Sequence, residues 1–405
     1  AGSILVAITT SLPEIVVVSA ATTAFNPSST GTIRVQTLTG EIVFGPIELY
    51  HVDSAFGGHG GPPTASDFDG DGWPEIAAAA NEFYSVYDPD CVAGGDPARP
   101  GGTCVRPPAT TLPDFILWAQ PSRDFSSSIT GSSIFDFDGD GRAEAVYHDE
   151  CYLRVYDGAT GEVIFSAPRA SGTGSELPVI VDVDGDFATE IVAARAVNAP
   201  TCESPDPLYP GSGEYERKGG VVVYADPDDQ WASSRPIWNQ HAYSVTHVDD
   251  AGRIPRSSDM ARNWEVEGLN SFRQNVQGTN ALALADLTVE IASLEALCAG
   301  DSGTIPLSAR VCNRGTAPVQ DGATVAFYTT PQGQTLAGGN GVLVCQTQTE
   351  TLLDVGQCTT VGCTAEIPGN VDVWVVVDPD GAIADCTPGN NVGASALALC
   401  PTVPN

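Results

Sequence analysis

Apolar and polar residues alternate with a period of two along most of the chain, in short runs separated by Gly, Pro, Asp and Ser. This alternation predicts β-strands, and stretches with a helical period are nearly absent. The predicted strands of the first half are EIVVVSA, TIRVQTL, EIVFGPI, YSVYD, FILWAQ, SSIFDF, AEAVYH, YLRVYD, EVIFSA, PVIVDV, EIVAARA and GVVVYAD. The pattern therefore predicts an all-β protein.

Three stretches repeat one order of residue types: DFDGDGWPEI at 67–76, DFDGDGRAEA at 136–145 and DVDGDFATEI at 182–191. In each, aspartates at positions 1, 3 and 5 precede a glutamate at position 9 that opens an apolar strand. A unit of a few short strands cannot bury both faces alone, whereas units stacked radially can. The repeats therefore predict a β-propeller.

A fourth unit opens the chain, because LPEIVVVSA matches WPEIAAAA and TGEIVFGPI matches TGEVIFSAP. Its glutamate is Glu14, and Val6, Ile8 and Thr10 stand at the three aspartate positions. Those side chains cannot chelate a hard cation, so this loop is expected to be a degenerate copy.

The Asp-rich stretches, with GGHGGPPTASDFDGDGWPEI, CYLRVYDGATGEVIF and RPIWNQHAYSVTHVDDAGRIP, resemble the FG-GAP/VCBS repeats of integrin-α-like propellers in secreted surface proteins of myxobacteria and related deltaproteobacteria. The resemblance covers about residues 5–278 and implies a calcium-binding propeller. Seven blades are usual in that family. We therefore expect one or more blades upstream of Ala1, the alternative being a small ring of four or five. AYSVTHV and SFRQNVQ, within 235–278, are predicted strands and are expected to belong to a last blade.

The character of the chain changes after residue 278, where the Asp loops stop and seven of the eleven cysteines lie. LADLTVEIASLEAL, TIPLSARVCNRG, ATVAFYTT and VDVWVVVDPDG alternate like the strands of a sandwich. VCNRGTAPVQDGATVAFY and VVVDPDGAIADCTPGNN resemble the CARDB domain, an Ig-like module of bacterial surface proteins, although DCTPGNN is less acidic than that family's usual ending. We predict two domains, a propeller at 1–278 and a CARDB-like Ig-fold β-sandwich at 279–405.

The spacing of the acids indicates a Ca²⁺ site. Three carboxylates lie on one side of a tight loop, and a backbone carbonyl at position 7 and the glutamate add further hard oxygens, of which Ca²⁺ accepts about six to eight. The first half resembles an EF-hand loop, yet the acid comes early and strands flank it. The other interpretation is a polar turn favoured by Asp and Gly. Three loops with the same spacing favour the cation.

Each predicted site has three aspartates, one backbone carbonyl and one glutamate as ligands. They are Asp67, Asp69, Asp71, the Trp73 carbonyl and Glu75; Asp136, Asp138, Asp140, the Arg142 carbonyl and Glu144; and Asp182, Asp184, Asp186, the Ala188 carbonyl and Glu190. The third departs most from the pattern, since Phe187 replaces the glycine found at Gly72 and Gly141. We interpret the ions as structural, because no catalytic partner recurs beside the loops.

The formal net charge of −34 limits the classes of molecule that the chain is expected to bind. It argues against nucleic acid and anionic lipid, because no basic stripe exists to neutralise phosphate. No run approaches the length of a membrane-spanning helix, so no membrane insertion is expected. ILVAITT at 4–10 is too short and lacks the basic flank of a signal peptide, so we expect a mature chain or a fragment.

Eleven cysteines are scattered without C-x-x-C or zinc spacing. Cysteines in Gly/Pro-rich loops indicate disulfides and an oxidising, extracellular compartment. We predict the pairs Cys91–Cys104, Cys151–Cys202 and Cys345–Cys358. The odd total implies a free thiol, an intermolecular bond or a partner outside the chain.

Other polar residues carry weaker signals. His59 is expected to be solvated in its Gly-rich loop. His241 and His247 are six apart, which in a strand puts both on one face, but no third metal ligand is evident. WNQH at 238–241 is expected to hold the last blade together, the alternative being a polar pocket for sugar. GxSxG, HExxH and P-loop motifs are absent from the sequence.

These features predict a non-enzymatic, calcium-stabilised adhesion or structural protein of the cell surface, serving in an extracellular matrix or fibre. The expected partners are protein or polysaccharide at the cell surface, or further copies of the chain. One alternative is a lectin-like propeller with Trp73, Trp118, Trp231 and Trp238 as stacking faces. Another is a propeller enzyme, such as a polysaccharide lyase or quinone-dependent dehydrogenase. That would need a basic or quinone pocket, and the chain has only 17 Lys and Arg residues.

Overall fold

The structure is a computed structural model. It describes residues 2–19, 30–52, 60–80, 82–106, 111–125, 130–173, 176–185, 188–227, 230–249, 252–266, 268–276, 285–293, 304–315, 317–336, 340–367, 371–383, 385 and 387–398. Predictions for His59, Asp186, Phe187, Cys298, Cys386 and Cys400 lie outside the described residues.

Among the described residues of 2–224 there are four antiparallel sheets, each with its strands in chain order. The first contains Gly2–Val6 (β1), Glu14–Ser19 (β2), Thr32–Thr37 (β3) and Ile42–Glu48 (β4); the second Thr64–Ser66 (β5), Glu75–Ala80 (β6), Phe83–Tyr87 (β7) and Ile116–Pro121 (β8); the third Ser133–Phe135 (β9), Glu144–His148 (β10), Tyr152–Tyr156 (β11) and Val163–Pro168 (β12); the fourth Val179–Val181 (β13), Glu190–Arg195 (β14) and Gly220–Tyr224 (β15). All twelve strands predicted in this half overlap one of these, which confirms the all-β prediction.

Consecutive sheets pack face to face through three apolar clusters, and together they form what we call the sheet stack. Strand β6 shows why the sequence favours this. Its run EIAAAA is buried throughout; Ala78 and Ala80 face the first sheet, and Ala77 and Ala79 face the third. Small side chains on both faces of one strand let two neighbouring sheets approach it closely.

One segment, residues 270–276, links all four sheets and is called here the central segment. The Asn270 side chain exchanges two hydrogen bonds with the backbone of Ala7, at the end of the first sheet. The Phe272 N–H donates to the Ala65 carbonyl at 2.8 Å in the second sheet. The Asn275 N–H donates to the Ile134 carbonyl at 3.1 Å in the third sheet, and its side chain reaches the fourth.

The prediction that AYSVTHV and SFRQNVQ are strands was wrong. Val245–His247 forms a 3₁₀ helix, so His241 and His247 do not share the face of a strand. Phe272 and Gln274 make isolated bridges to Ala65 and Ile134. Their partners lie in strands of three residues from different sheets, so pairing ends after one residue each.

Within 285–398, the described residues form a β-sandwich of two sheets, in the strand orders β16-β17-β20 and β19-β18-β21-β22. Its strands are Leu287–Ser293 (β16), Thr304–Asn313 (β17), Thr324–Pro331 (β18), Val342–Gln348 (β19), Cys358–Glu366 (β20), Val371–Val377 (β21) and Val392–Ala398 (β22). Apolar side chains from both sheets form one core. The four strands predicted here are confirmed as β16, β17, β18 and β21.

Four disulfides are formed among the described cysteines. Cys91–Cys104 and Cys151–Cys202 confirm two predicted pairs. The predicted pair Cys345–Cys358 was wrong, because Cys358 lies opposite Cys312 in the β17–β20 ladder and bonds to it. Cys345 bonds instead to Cys363, which links β19 to β20 in the other sheet.

We expect Asn275→Ala to destabilise the fold by about 2–4 kcal/mol. The buried Asn275 amide donates to the carbonyls of Ile180 and Arg235, both at 2.8 Å, and accepts from the Tyr243 hydroxyl. Alanine would leave these groups buried without that partner. Urea unfolding measures the effect. Asn239→Ala is the control, because exposed Asn239 makes one bond, to Gly252. Equal costs for both variants would contradict the role given to the central segment.

Candidate metal centres in the Asp loops

Each Asp loop joins the first strand of a sheet to the second. Asp loop 1 (67–75) lies between β5 and β6, Asp loop 2 (136–144) between β9 and β10, and Asp loop 3 (182–190) between β13 and β14. The three loops therefore lie at the same end of their sheets, as the repeats predict.

The glutamate of every loop accepts a hydrogen bond from the backbone at loop position 2. Glu75 Oε2 accepts from the Phe68 N–H at 2.9 Å, Glu144 Oε2 from Phe137 at 2.8 Å, and Glu190 Oε2 from Val183 at 2.8 Å. One carboxylate oxygen thus fixes the loop to the strand that follows. The spacing of the acids predicts the glutamate only as a cation ligand and does not reveal this second role.

In the first sheet a glutamate also ties the loop to the following strand, and here hydroxyl groups donate to it as well as backbone N–H groups. Glu14 Oε2 accepts from the Ile8 and Thr9 N–H groups, and its Oε1 accepts from the hydroxyls of Thr9 and Thr10. Ile8 therefore takes the place of Phe68, and this loop is one residue shorter than the others. The alignment of Val6, Ile8 and Thr10 with the three aspartates was wrong by that residue.

Asp loop 1 brings its three aspartates together. One carboxylate oxygen from each of Asp67, Asp69 and Asp71 lies within 4.8 Å of the other two. The N–H groups of Gly70 and Gly72 donate to Asp67 and hold its carboxylate inward. Asp69 is 7 % exposed, and its Oδ2 atom is buried without a hydrogen-bond partner among the described residues. A buried carboxylate oxygen without a partner is costly, and a cation would satisfy it.

Glu75 does not join this group of three. Its Oε1 pairs with the Arg99 guanidinium at 3.0 Å, and Arg99 also binds Asp88 at 2.8 Å and Asp90 at 2.5 Å, all of them buried. Arg99 lies in the loop closed by the Cys91–Cys104 disulfide. No local pattern predicts this ion pair, because the contact spans 24 residues.

Asp loops 2 and 3 each group two aspartates with the glutamate. Oxygens of Asp136, Asp138 and Glu144 lie within 4.8 Å of one another, as do those of Asp182, Asp184 and Glu190. Asp140 instead pairs with Arg142, whose Nε lies 2.9 Å from Asp140 Oδ2. Ala188 is buried. The carbonyls of Trp73, Arg142 and Ala188 stay predicted ligands.

Crowding and burial disfavour the ionised carboxylates. Burial, with Asp71, Asp88 and Asp67 nearby, raises the pKa of Asp69 to about 7. Burial, with Asp138 and Asp140 nearby, raises the pKa of Asp136 to about 6. The pKa of Glu144 is raised well above its ordinary range for the same reasons. A bound cation would favour the ionised forms.

The residues of the loops fit a divalent cation. All candidate ligands are hard oxygens, which suits Ca²⁺, and one of them is a buried oxygen without a partner among the described residues. When bound, the ion would neutralise the acids and cross-link the two ends of each loop. Asp88, Cys91 and Cys104 also lie close together, but the two sulfurs are bonded to each other and cannot serve as thiolate ligands.

Trp118 and Trp238, two of the four predicted stacking tryptophans, pack against aromatic rings of the scaffold. Trp118 is buried and stacks on Tyr156 at 5.6 Å between ring centroids. Trp238, of the WNQH stretch, stacks on Tyr243 at 4.3 Å and lies under the guanidinium of Arg273. WNQH thus packs beside the central segment.

No protein-family model and no curated protein matches the chain. Among solved structures, the Vibrio cholerae biofilm matrix protein Bap1 is 21% identical over 66% of this chain and 33% of its own, with a TM-score of 0.37. The CARDB domain of the Pyrococcus furiosus PF1109 protein, in complex with di-metal ions, is 20% identical over 30% of this chain and 95% of that domain, with a TM-score of 0.22. A glycoside hydrolase is 9% identical over 93% of both chains, with a TM-score of 0.25.

The chain thus spans about a third of the length of Bap1. Similarities at these TM-scores are too weak to support a functional conclusion. Across the described residues, no helix has the length and apolar character needed to cross a bilayer.

Asp69→Asn should have opposite effects with and without Ca²⁺. In saturating Ca²⁺ the variant loses a ligand, and we expect its melting temperature to fall by about 5 °C or more. In ion-depleted protein at pH 8 it removes a destabilising charge, and the melting temperature should equal or exceed that of the wild type. Calorimetry measures both, with the exposed Asp96→Asn as the control. A variant less stable by the same amount in both conditions would contradict a cation site.

The stabilisation by Ca²⁺ should grow as the pH rises from 5 to 8. The folded-state pKa values of Asp69, about 7, and Asp136, about 6, exceed the ordinary value of 3.8. Their contribution to stability is therefore present at low pH and is lost as the pH rises through those values in ion-free protein. Ca²⁺ favours the ionised forms, so its benefit increases over the same window. Melting temperatures of ion-depleted and Ca²⁺-loaded protein test this; a gain that is flat or larger at pH 5 would refute it.

Proposed function

We propose that this chain is a calcium-stabilised structural or adhesion protein of the cell exterior. The observation that carries the proposal is the recurrence of one loop design. In Asp loops 1, 2 and 3 a glutamate ties the loop to its sheet while acids gather beside it. An ion in each loop would lock the sheets without taking part in any reaction.

The proposed architecture is a propeller of FG-GAP/VCBS type at 1–278 followed by a CARDB-like Ig-fold sandwich at 279–405. Support comes from the sheet stack, in which the three-residue strands β5, β9 and β13 lie next to one another. Sheets that stack on both faces with their first strands adjacent are the geometry of propeller blades. The seven strands of the sandwich, in sheets of three and four, suit an Ig-like module.

An extracellular location is supported by the disulfides. Four are formed among the described cysteines, one of them closing the loop that holds Arg99 and one linking the two sheets of the sandwich. Disulfides persist in oxidising compartments. The net charge of −34 would be offset in part by bound divalent ions.

A structural rather than catalytic role is supported by where the charged residues lie. The guanidinium of Arg99 is engaged with Glu75 of Asp loop 1, with Asp88 and Asp90, and with the Pro74 carbonyl. Groups that are held this way stabilise a fold, and the ligand set has the hard-oxygen character of a Ca²⁺ site.

Carbohydrate binding is the second candidate, and one cavity favours it. A cavity of about 360 Å³ lies at the end of the sheets opposite the Asp loops. Phe125, Tyr152, Ser122 and Arg123 are among its lining residues. It offers aromatic rings and a buried hydroxyl, Ser122 Oγ, without a partner among the described residues. The tryptophans named from sequence do not line it.

Removing divalent ions should lower the melting temperature and increase protease cleavage near 67–75, 136–144 and 182–190. Adding back Ca²⁺ should restore both, and Mg²⁺ should restore them less well, because it requires a stricter octahedron. Calorimetry and mass spectrometry of the fragments measure this. A melting curve that does not change in saturating chelator would overturn the calcium proposal.

The partner class is tested separately. A structural or adhesion role predicts Ca²⁺-dependent self-association or binding to surface protein, measured by sedimentation and surface binding. Glycan-array binding that is lost in Phe125→Ala would favour the second candidate instead.

A further inference from the structure

Asp loop 2 lies directly against the sandwich. A Cβ atom on Gly139, in the loop, would lie 2.7 Å from the Cα of Gly356, in the sandwich, and one on Gly356 would lie 2.5 Å from the Gly139 carbonyl oxygen. Both glycines have positive φ, +70° and +77°. The two backbones are therefore in contact, with no room for a side chain between them.

Two arginines of the sandwich face the carboxylates of this loop. Arg310, in β17, has its Nη2 3.9 Å from Asp138 Oδ2 and its Nη1 3.6 Å from Glu290. Arg314 is 4 % exposed, and its Nε and Nη1 have no hydrogen-bond partner among the described residues. A Cβ on Gly139 would lie 2.9 Å from Arg314 Nη1, so the guanidinium lies against the loop.

The charged residues near Arg314 explain how the fold tolerates its buried guanidinium. Asp138 and Asp136 attract it, while burial and neighbouring Arg310 oppose its charge and lower its pKa. An uncompensated buried cation is costly. Asp138 and Asp136, together with Glu290, compensate this charge, and the two aspartates belong to the cluster that would also hold the metal ion. The arginine and the metal ion therefore draw on the same carboxylates.

Asp loops 1 and 3 differ in this respect. Among the described residues, Arg310 and Arg314 reach the carboxylates of Asp loop 2 alone. The Gln230 side chain, which follows the last strand of the sheet stack, donates to the Asn390 carbonyl of the sandwich at 3.2 Å. This second contact involves no Asp loop. Of the three similar loops, Asp loop 2 is therefore the one that makes a charged contact with the sandwich within the described part of the chain.

We propose that Asp loop 2 is an ion-responsive joint between the sheet stack and the sandwich, at which Arg310 and Arg314 compete with the bound cation for Asp136 and Asp138. The arginines lower the Ca²⁺ affinity of this loop relative to the same loop without them. Because coupling between two binding events is reciprocal, Ca²⁺ in this loop weakens the binding of the two sandwich arginines to its carboxylates by the same factor. The inference rests on the calcium binding of the proposed function.

Calcium titration of the full chain at low ionic strength tests the competition. Arg310→Gln and Arg314→Met should each raise the affinity of one site by roughly three- to tenfold and leave the others unchanged, as expected for removal of one nearby charge. Arg262→Gln is the control, because Arg262 is exposed and pairs only with nearby Glu265 among the described residues. Asp136→Asn should remove the responsive site. Affinities in both variants equal to those of Arg262→Gln would overturn the inference. Arg310→Gln keeps the test valid if Arg314→Met fails to fold, since Arg310 is partly exposed.

A matched pair of glycine variants tests the joint itself. Gly356→Ala would push the sandwich away from Asp loop 2, whereas Gly333→Ala has nearly the same φ, +78°, with open space around it. Small-angle scattering should show a larger radius of gyration for Gly356→Ala, and its responsive site should bind Ca²⁺ more tightly. No difference between the two variants in either measurement would refute the joint.

The two proposals fail differently. If the wild-type chain binds no Ca²⁺ at any loop, the proposed function fails and this inference with it. If the loops bind Ca²⁺ but the arginine and Gly356 variants behave like their controls, only the joint is refuted.

Discussion

The need to neutralise acids that are buried where one β-strand turns into the next is the constraint on which this structure depends. Three of the four sheets in the stack use different solutions at the same place. The first supplies the hydroxyls of Thr9 and Thr10 to Glu14. The second places Arg99 on Glu75, and the third faces Arg310 and Arg314 of the sandwich. Because a carboxylate left alone in such a position costs stability, a bound cation would stabilise the loops that lack enough other donors.

A chain with few basic residues uses them mainly as internal cross-links. Arg154 binds Asp149 and Asp206, and Arg99 binds three acids at once. The guanidinium of Arg273, in the central segment, donates to groups of the third sheet and of the segment before β13. A planar group with five donors can join several elements in one contact, which a lysine ammonium cannot do in the same fixed geometry. The chain accordingly has 16 arginines and one lysine.

Stability and assembly are linked through the same loops. An ion in Asp loop 1 would stiffen a loop already paired with Arg99, which lies in the loop closed by Cys91–Cys104. An ion in Asp loop 2 would change the charge at the contact between the sheet stack and the sandwich. Three copies of one motif can therefore have different roles, because tertiary contacts outside the motif differ. In the proposed extracellular role, this would make the arrangement of the sheet stack and the sandwich sensitive to the surrounding calcium concentration.

The sequence by itself determined most of the strands and the grouping of the aspartates, because both depend on residues close together in the chain. The period of two located β2 to β4 and β7 to β15, and the spacing of Asp67, Asp69 and Asp71 put their oxygens together without long-range help. Only the tertiary structure decided which residues from different elements contact each other. The partner of Cys358, the ion pair of Glu75 with Arg99, the path of the central segment and the arginines beside Asp loop 2 all join residues far apart in the chain. No local pattern encodes such pairs, since they arise only once the sheets have packed and brought distant charges to one point.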